Sequence, residues 1–165
     1  MRIAIISDIH DNIWALAKVL EKIQDCDALL CLGDLCAPFT IAQIRDGFAK
    51  QVYVVWGNND GDKVMVASQI AQGGHVHHLG DVGQIKAGGR RIAMTHYPHI
   101  ANMLAQGQTY DLVCHGHDHE RAQKRVGNTL VLNPGEVMGR LGVTSWAVYD
   151  TSAGEAEIVI LPASE

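Results

Sequence analysis

The chain has 165 residues, and none of its apolar runs approaches the ~20 residues that cross a bilayer. Its opening, MRIAIISDIH, lacks the apolar core of a signal peptide, because the run is short and ends in Asp8 and His10. Both absences point to a cytoplasmic protein with no membrane partner. It also lacks a basic excess. The formal net charge is −5, which counts against wrapping long nucleic acid but leaves room for a small phosphorylated substrate if metal ions supply positive charge. No Cys-x-x-Cys pair is present. Cys26, Cys31, Cys36 and Cys114 are scattered and are expected as buried thiols rather than disulfides. Repeats and low-complexity tracts are missing too. What remains is 47% hydrophobic, enough for a sizeable core in a single domain expected to span residues 1–165.

Short apolar runs alternate with amphipathic stretches over the first two-thirds of the chain. Strands are expected at 2–7, 27–33, 52–57, 90–96 and 111–116, with two shorter β-like runs at 75–79 and 82–87. Helices are expected at 12–24 with Asp11 as N-cap, at 39–49 after Pro38, at 62–72 and at 99–106. The remainder is β-rich, at 121–126, 129–132, 144–150 and 155–161, with TSAG as the last turn. Alternating β and α followed by mostly β predicts an α/β sandwich with mixed sheets. Trp14, Trp56 and Trp146 sit in apolar patterns and are expected in the core.

The residues just past the strand ends carry the chemistry. The first strand runs into Asp8 and His10, the second into Asp34 and the third into Asn58. Two later strands run into His96 and into His117 and His119. In open α/β sheets ligands bind at the C-terminal strand edge, so these seven donors are expected in one cleft. Two carboxylates, one amide and four imidazoles suit first-row divalent cations better than calcium. Asp8/His10 and His117/His119 are i, i+2 pairs, whose side chains point the same way in extended chain. His115 shares that parity but precedes Gly116 and is expected to be structural. His75, His77 and His78 have no partner pattern and are expected at an exposed edge or subunit contact, and Cys36 is expected in packing. Arg121, Lys124 and Arg125 read as a solvated strand face.

Asp8-x-His10, Gly33-Asp34, Gly57-Asn58, His96 and Gly116-His117-x-His119 occur in the order found in calcineurin-like metallophosphoesterases. With LNPGEVMGR (132–140) after the last histidines, the chain resembles the small bacterial and archaeal phosphodiesterases of that superfamily. The resemblance implies a four-layer αββα sandwich of two mixed β-sheets flanked by helices, with a metal site at the C-terminal strand ends. It implies that Asp8, His10 and His119 hold one metal, that Asn58, His96 and His117 hold another, and that Asp34 bridges both. Two divalent ions follow, Mn²⁺ first, with Fe, Ni, Co or Zn as alternatives. A metal-bridging hydroxide would attack a small phosphodiester in line, Asn58 helping to stabilise the charge that develops.

Two departures from the family pattern matter. Asn59 stands where many members carry the histidine that protonates the leaving group, which weakens a monoesterase reading and agrees with the small phosphodiesterases. In THYPH (95–99), Tyr97 replaces a common glycine and would narrow the approach or stack on a base, and His99 is a candidate proton donor or phosphate contact. Asn59, Tyr97, His99 and Arg140 are thus the expected substrate contacts, and Asp60 is expected to cap the next helix or support a ligand histidine. Asn133 and Glu136 form a turn that the resemblance places beside the cleft. The competing readings are a phosphomonoesterase or nucleotide pyrophosphohydrolase with the same site, and a non-catalytic metal-binding scaffold. A homo-oligomer is a further expectation from small relatives.

Overall fold

The structure, a computed structural model, describes residues 1–162. A six-stranded sheet contains β1 (Arg2–Ile6), β2 (Ala28–Cys31), β3 (Gln51–Val54), β4 (Val76–His78), β10 (Ser145–Asp150) and β11 (Glu155–Ile160), in the order β11-β10-β1-β2-β3-β4. A five-stranded sheet contains β5 (Val82–Ala87), β6 (Arg90–Thr95), β7 (Leu112–Cys114), β8 (Arg121–Val126) and β9 (Thr129–Pro134), in the order β5-β6-β7-β9-β8. Both sheets are mixed. β1 to β4 run parallel, as do β6, β7 and β9, while β10, β11, β5 and β8 pair antiparallel. Helices α1 (Ile13–Lys22), α2 (Pro38–Gly47), α3 (Lys63–Ala71) and α4 (Pro98–Gln106) complete the described elements.

The period of two along each strand sorts residues between layers. In β1 and β2, Ile3, Ile5, Ala28 and Leu30 point into the space between the sheets. Ala4, Ile6, Leu29 and Cys31 face the other way and pack with Leu16, Val19, Ile41, Ile44 and Val66 of α1 to α3. In the second sheet Ile92, Met94, Leu112, Cys114, Leu130 and Leu132 meet the first sheet, while Ala93, Val113 and Val131 face Ala101 and Ala105 of α4. The result is the expected αββα order, three helices on one side and one on the other. Strands buried on both faces must be apolar throughout, which is why these runs do not alternate with polar residues.

Several local expectations are corrected. The N-cap of α1 is Asn12, whose Oδ1 accepts from Ala15 N–H at 3.1 Å. Asp11 instead accepts from Ala37 N–H (2.9 Å) and Thr40 Oγ (2.7 Å), joining the starts of α1 and α2. The cap of α3 is Asp62, not Asp60. Trp14 is 74% exposed, because the helical stripe that enters the core is Ala15, Leu16, Val19 and Leu20. Trp146 is buried and Trp56 half-buried. His75, on the β4 edge, contacts the carbonyls of Arg45 and Phe48 through Nε2, so it is a tie rather than an exposed residue. Cys26, Cys31 and Cys114 are buried free thiols. No helix among the described residues is long and apolar enough to cross a membrane.

Candidate metal centre

The strand ends converge as expected, by a different local geometry. β1 stops at Ile6 and β7 at Cys114, so neither i, i+2 pair lies in extended chain. Asp8 and His10 have φ of 54° and 44°, and His117 and His119 have 80° and 59°. Asp34 (54°) and Cys36 (71°) are also left-handed. Each such residue costs on the order of 1–3 kcal/mol unless its surroundings hold it. Here the loops hold one another. Ile9 and His10 N–H donate to Asp34 O at 3.1 and 3.0 Å, Gly116 N–H to His96 O at 3.1 Å, and Val137 and Met138 N–H to Ser7 O and Asp8 O at 3.0 Å. Gly57 and Gly116 permit this crowding: a Cβ on Gly57 would overlap the Asp34 carboxylate, and one on Gly116 would overlap Ser7 and Asp8.

Asp8, His10, Asp34 and Asn58 come from the first sheet, and His96, His117 and His119 from the second. Their ligand atoms face one another. His10 Nε2 lies 3.4 Å from Asp34 Oδ2 and 3.9 Å from Asp8 Oδ1. His119 Nε2 lies 3.4 Å from Asp8 Oδ1, and His96 Nε2 lies 3.5 Å from Asp34 Oδ1. These gaps are long for hydrogen bonds. Three of the four, at 3.4 to 3.5 Å, are close to the ~3.0–3.4 Å between neighbouring ligands on an ion with bonds of about 2.1 Å. Asn58 Oδ1 is 2.9 Å from both His96 Nε2 and His117 Nδ1.

The donor chemistry fits divalent metals. His96 Nδ1–H donates to Leu32 O at 2.8 Å, so its Nε2 lone pair points at the Asn58 carbonyl oxygen. His119 Nδ1–H donates to Glu136 Oε2 at 2.6 Å, so its Nε2 lone pair points at Asp8. Acceptors facing acceptors call for a cation or a shared proton between them. Asp8 Oδ1 and His10 Nε2 are buried with no hydrogen-bond partner, a costly state that a shared cation would relieve. Asp8, His10 and His119 form one group able to hold an ion, and Asp8, Asp34 and His96 form another. Burial would raise the Asp8 pKa, but His10, Ser7 and the nearby imidazoles outweigh it and hold the carboxyl below its usual value. Asp8 in turn raises His10, partly offset by burial. His115, buried against Gly116 O, is lowered by desolvation and stays outside the cluster.

The structure gives the expected substrate contacts uneven places. Tyr97 is half-buried, its ring 5.3 Å from His96 and 5.5 Å from His117. His99 is exposed in the first turn of α4, its ring 5.8 Å from Tyr97. Arg140 is exposed in the segment that follows Glu136. Asn59 is committed to the centre itself: its N–H and Nδ2 donate to the two Asp34 oxygens at 2.8 and 2.7 Å. Cys36 is not simply packing, since Sγ lies 3.6 Å from His10 Nδ1. Burial first, then nearby carboxylates, carry its pKa up to about 11, so the thiol is neutral. Asp60 neither caps α3 nor touches a histidine of the cluster; it accepts from Leu35 N–H and Gly57 N–H at 2.6 Å and from Cys36 N–H at 3.3 Å.

The sequence and the fold both match a known family. Residues 1–154 match the calcineurin-like phosphoesterase superfamily domain. The chain belongs to that superfamily. It is 28% identical over 166 residues to Phosphodiesterase MJ0936 of Methanocaldococcus jannaschii, covering 98% of this chain and 99% of that protein. A solved structure of an archaeal phosphodiesterase superimposes with a TM-score of 0.91 at 27% identity, over 98% of this chain and 100% of that one. Zinc-bound Vps29 of Entamoeba histolytica (TM-score 0.68, 20% identity, 98% of each chain) shares the fold. So does the E. coli phosphoesterase Yfce (TM-score 0.69, 20% identity, 98% and 100%).

Proposed function

We propose that this phosphate-ester hydrolase is a dimetal phosphodiesterase acting on small phosphodiesters. The observation that carries the reading is the set of carboxylate, amide and imidazole donor atoms that face one another, with Asp8 Oδ1 and His10 Nε2 buried and left without a hydrogen-bond partner. Asp8, His10 and His119 would hold one ion, Asn58, His96 and His117 the other, and Asp34 would serve both. Bound there, two divalent ions would lower the pKa of a water nucleophile and offset charge on the phosphate oxygens. Mn²⁺ is the first candidate, with Fe, Co, Ni and Zn compatible with the same donors.

The chain's own residues do the rest. Asn59 fixes both oxygens of Asp34, so the carboxylate does not rotate as charge shifts around it. Asn58 offers a neutral oxygen, leaving the centre attractive to an anion. Tyr97 stands over His96 and His117 and limits the size of the group that enters. His99 is the available proton carrier for the leaving oxygen. With Asn59 committed to Asp34, activated leaving groups should be turned over far better than simple alkoxides.

The test is Mn²⁺-dependent hydrolysis of bis-p-nitrophenyl phosphate beside p-nitrophenyl phosphate, in wild type and Asp34→Asn. Diester turnover that disappears in the variant supports the reading. Turnover that survives exhaustive chelation overturns it. Two bound ions with no turnover of either ester would move the protein to the scaffold reading.

A further inference from the structure

Glu136 was legible only as part of a turn, yet its carboxylate accepts three hydrogen bonds beside the cluster. It is 1% exposed. Oε2 accepts from His119 Nδ1–H at 2.6 Å. Oε1 accepts from Leu141 N–H at 2.8 Å and Gly142 N–H at 2.6 Å. Its backbone carbonyl accepts from Ser145 N–H at 2.9 Å, closing the loop between β9 and β10. Three N–H groups therefore satisfy a carboxylate that burial would otherwise penalise heavily. The same turn grips the other side of the histidine pair, where Asn133 Nδ2 donates to Asp118 Oδ1 and to Gly116 O, the latter at 3.4 Å.

We propose that Glu136 is a positioning residue that fixes the Nδ1–H tautomer of His119 and ties that histidine to the loop carrying Arg140 to Gly142. This rests on the reading of His119 as a metal ligand. A neutral imidazole has one lone pair. A carboxylate can only accept from Nδ1, so the lone pair is forced onto Nε2, the atom that faces Asp8 at 3.4 Å. A side chain of the same shape that could donate would allow the opposite tautomer and take the lone pair away from the ion. Because one carboxylate holds both the imidazole and the loop, displacement of either is felt by the other.

Glu136→Gln separates the two duties. Its carbonyl can still accept from Leu141 and Gly142, while its NH₂ faces His119 Nδ1. Metal-free wild type and variant would be titrated with Mn²⁺ by calorimetry and by electron paramagnetic resonance. Wild type should bind two ions. The variant should bind one of them roughly 10–100-fold more weakly, with the other unchanged. In metal-free wild type at pH 8, long-range ¹H–¹⁵N spectra should show His119 protonated on Nδ1, a readout that does not depend on the variant folding. Wild type that binds two ions, with Glu136→Gln binding both equally well, overturns the proposal alone. His119 found as the Nε2–H tautomer also overturns it. Wild type that binds no Mn²⁺ overturns the metal-centre reading and this inference with it.

Discussion

Replacing Asp60 by alanine should destabilise the whole fold and not only the site. Asp60 reaches from the loop after β3 to the loop after β2, accepting from Leu35, Cys36 and Gly57 N–H. Leu35 and Gly57 are buried, and both bonds are 2.6 Å. Cys36 is half-exposed and its bond is 3.3 Å, so water can replace that one. Two hydrogen bonds to a charged acceptor, at about 1.5–3 kcal/mol each, set a floor near 3 kcal/mol. At roughly 2–4 °C per kcal/mol for a chain of this size, the thermal midpoint should fall by about 6–12 °C. Asp62→Ala provides the scale: it removes only a helix cap to Met65 N–H and should cost about 1 kcal/mol. Both variants would be melted metal-free, by circular dichroism and calorimetry. An Asp60→Ala midpoint no lower than that of Asp62→Ala would refute the reasoning.

Gly57→Ala should displace both the Asp34 carboxylate and the backbone that carries it, since the added methyl would overlap the carboxylate and the Asp34 nitrogen; the thermal midpoint should fall and calorimetry should find at least one Mn²⁺ weakened, and an unchanged midpoint with two unaltered sites would refute the crowding argument. His99→Ala should slow hydrolysis of an alkyl diester by roughly 100-fold or more while sparing p-nitrophenolate leaving groups, and equal rates on both would remove His99 from proton transfer. Burial lowers the pKa of His115, so the unfolded chain binds more protons and stability falls as pH drops below about 6.5. His78 shifts the same way, and His10, raised chiefly by Asp8, acts in the opposite sense in the metal-free protein. The measurement is therefore the difference between wild type and His115→Gln in urea unfolding from pH 7 to pH 5; His115→Gln should lose less, and parallel curves would refute the assignment.

The fold was legible because two-faced burial leaves continuous apolar runs, as in RIAII and TLVL, and these have few alternatives once helices separate them. The donors were legible because each follows such a run. Their geometry was not. Parity assumes extended chain, and left-handed residues such as Asp8 and His119 are held by bonds from other loops. Residues that act through those bonds were hidden for the same reason. Asp60 serves Leu35, 25 positions away, and Asn59 serves Asp34, also 25 positions away. Glu136 is closer to its partner in sequence, but only burial separates it from an ordinary turn residue. The faint signal was an acidic residue between an apolar strand and Val137, where a solvated turn would not bury it. Trp14 misled because aromatic side chains usually add to the core.

The centre draws four donors from one sheet and three from the other. No single layer contains it, so its dimensions are set by how far apart the layers sit and in what register. That spacing is fixed by Leu30, Met94 and Leu132, which interlock between the sheets with no exposed surface. A ligand shell tolerates errors of only a few tenths of an ångström. The greasy interior between the sheets therefore works as the gauge block of the donor cluster. A methyl group removed there should change which ion the protein prefers before it changes whether the protein folds.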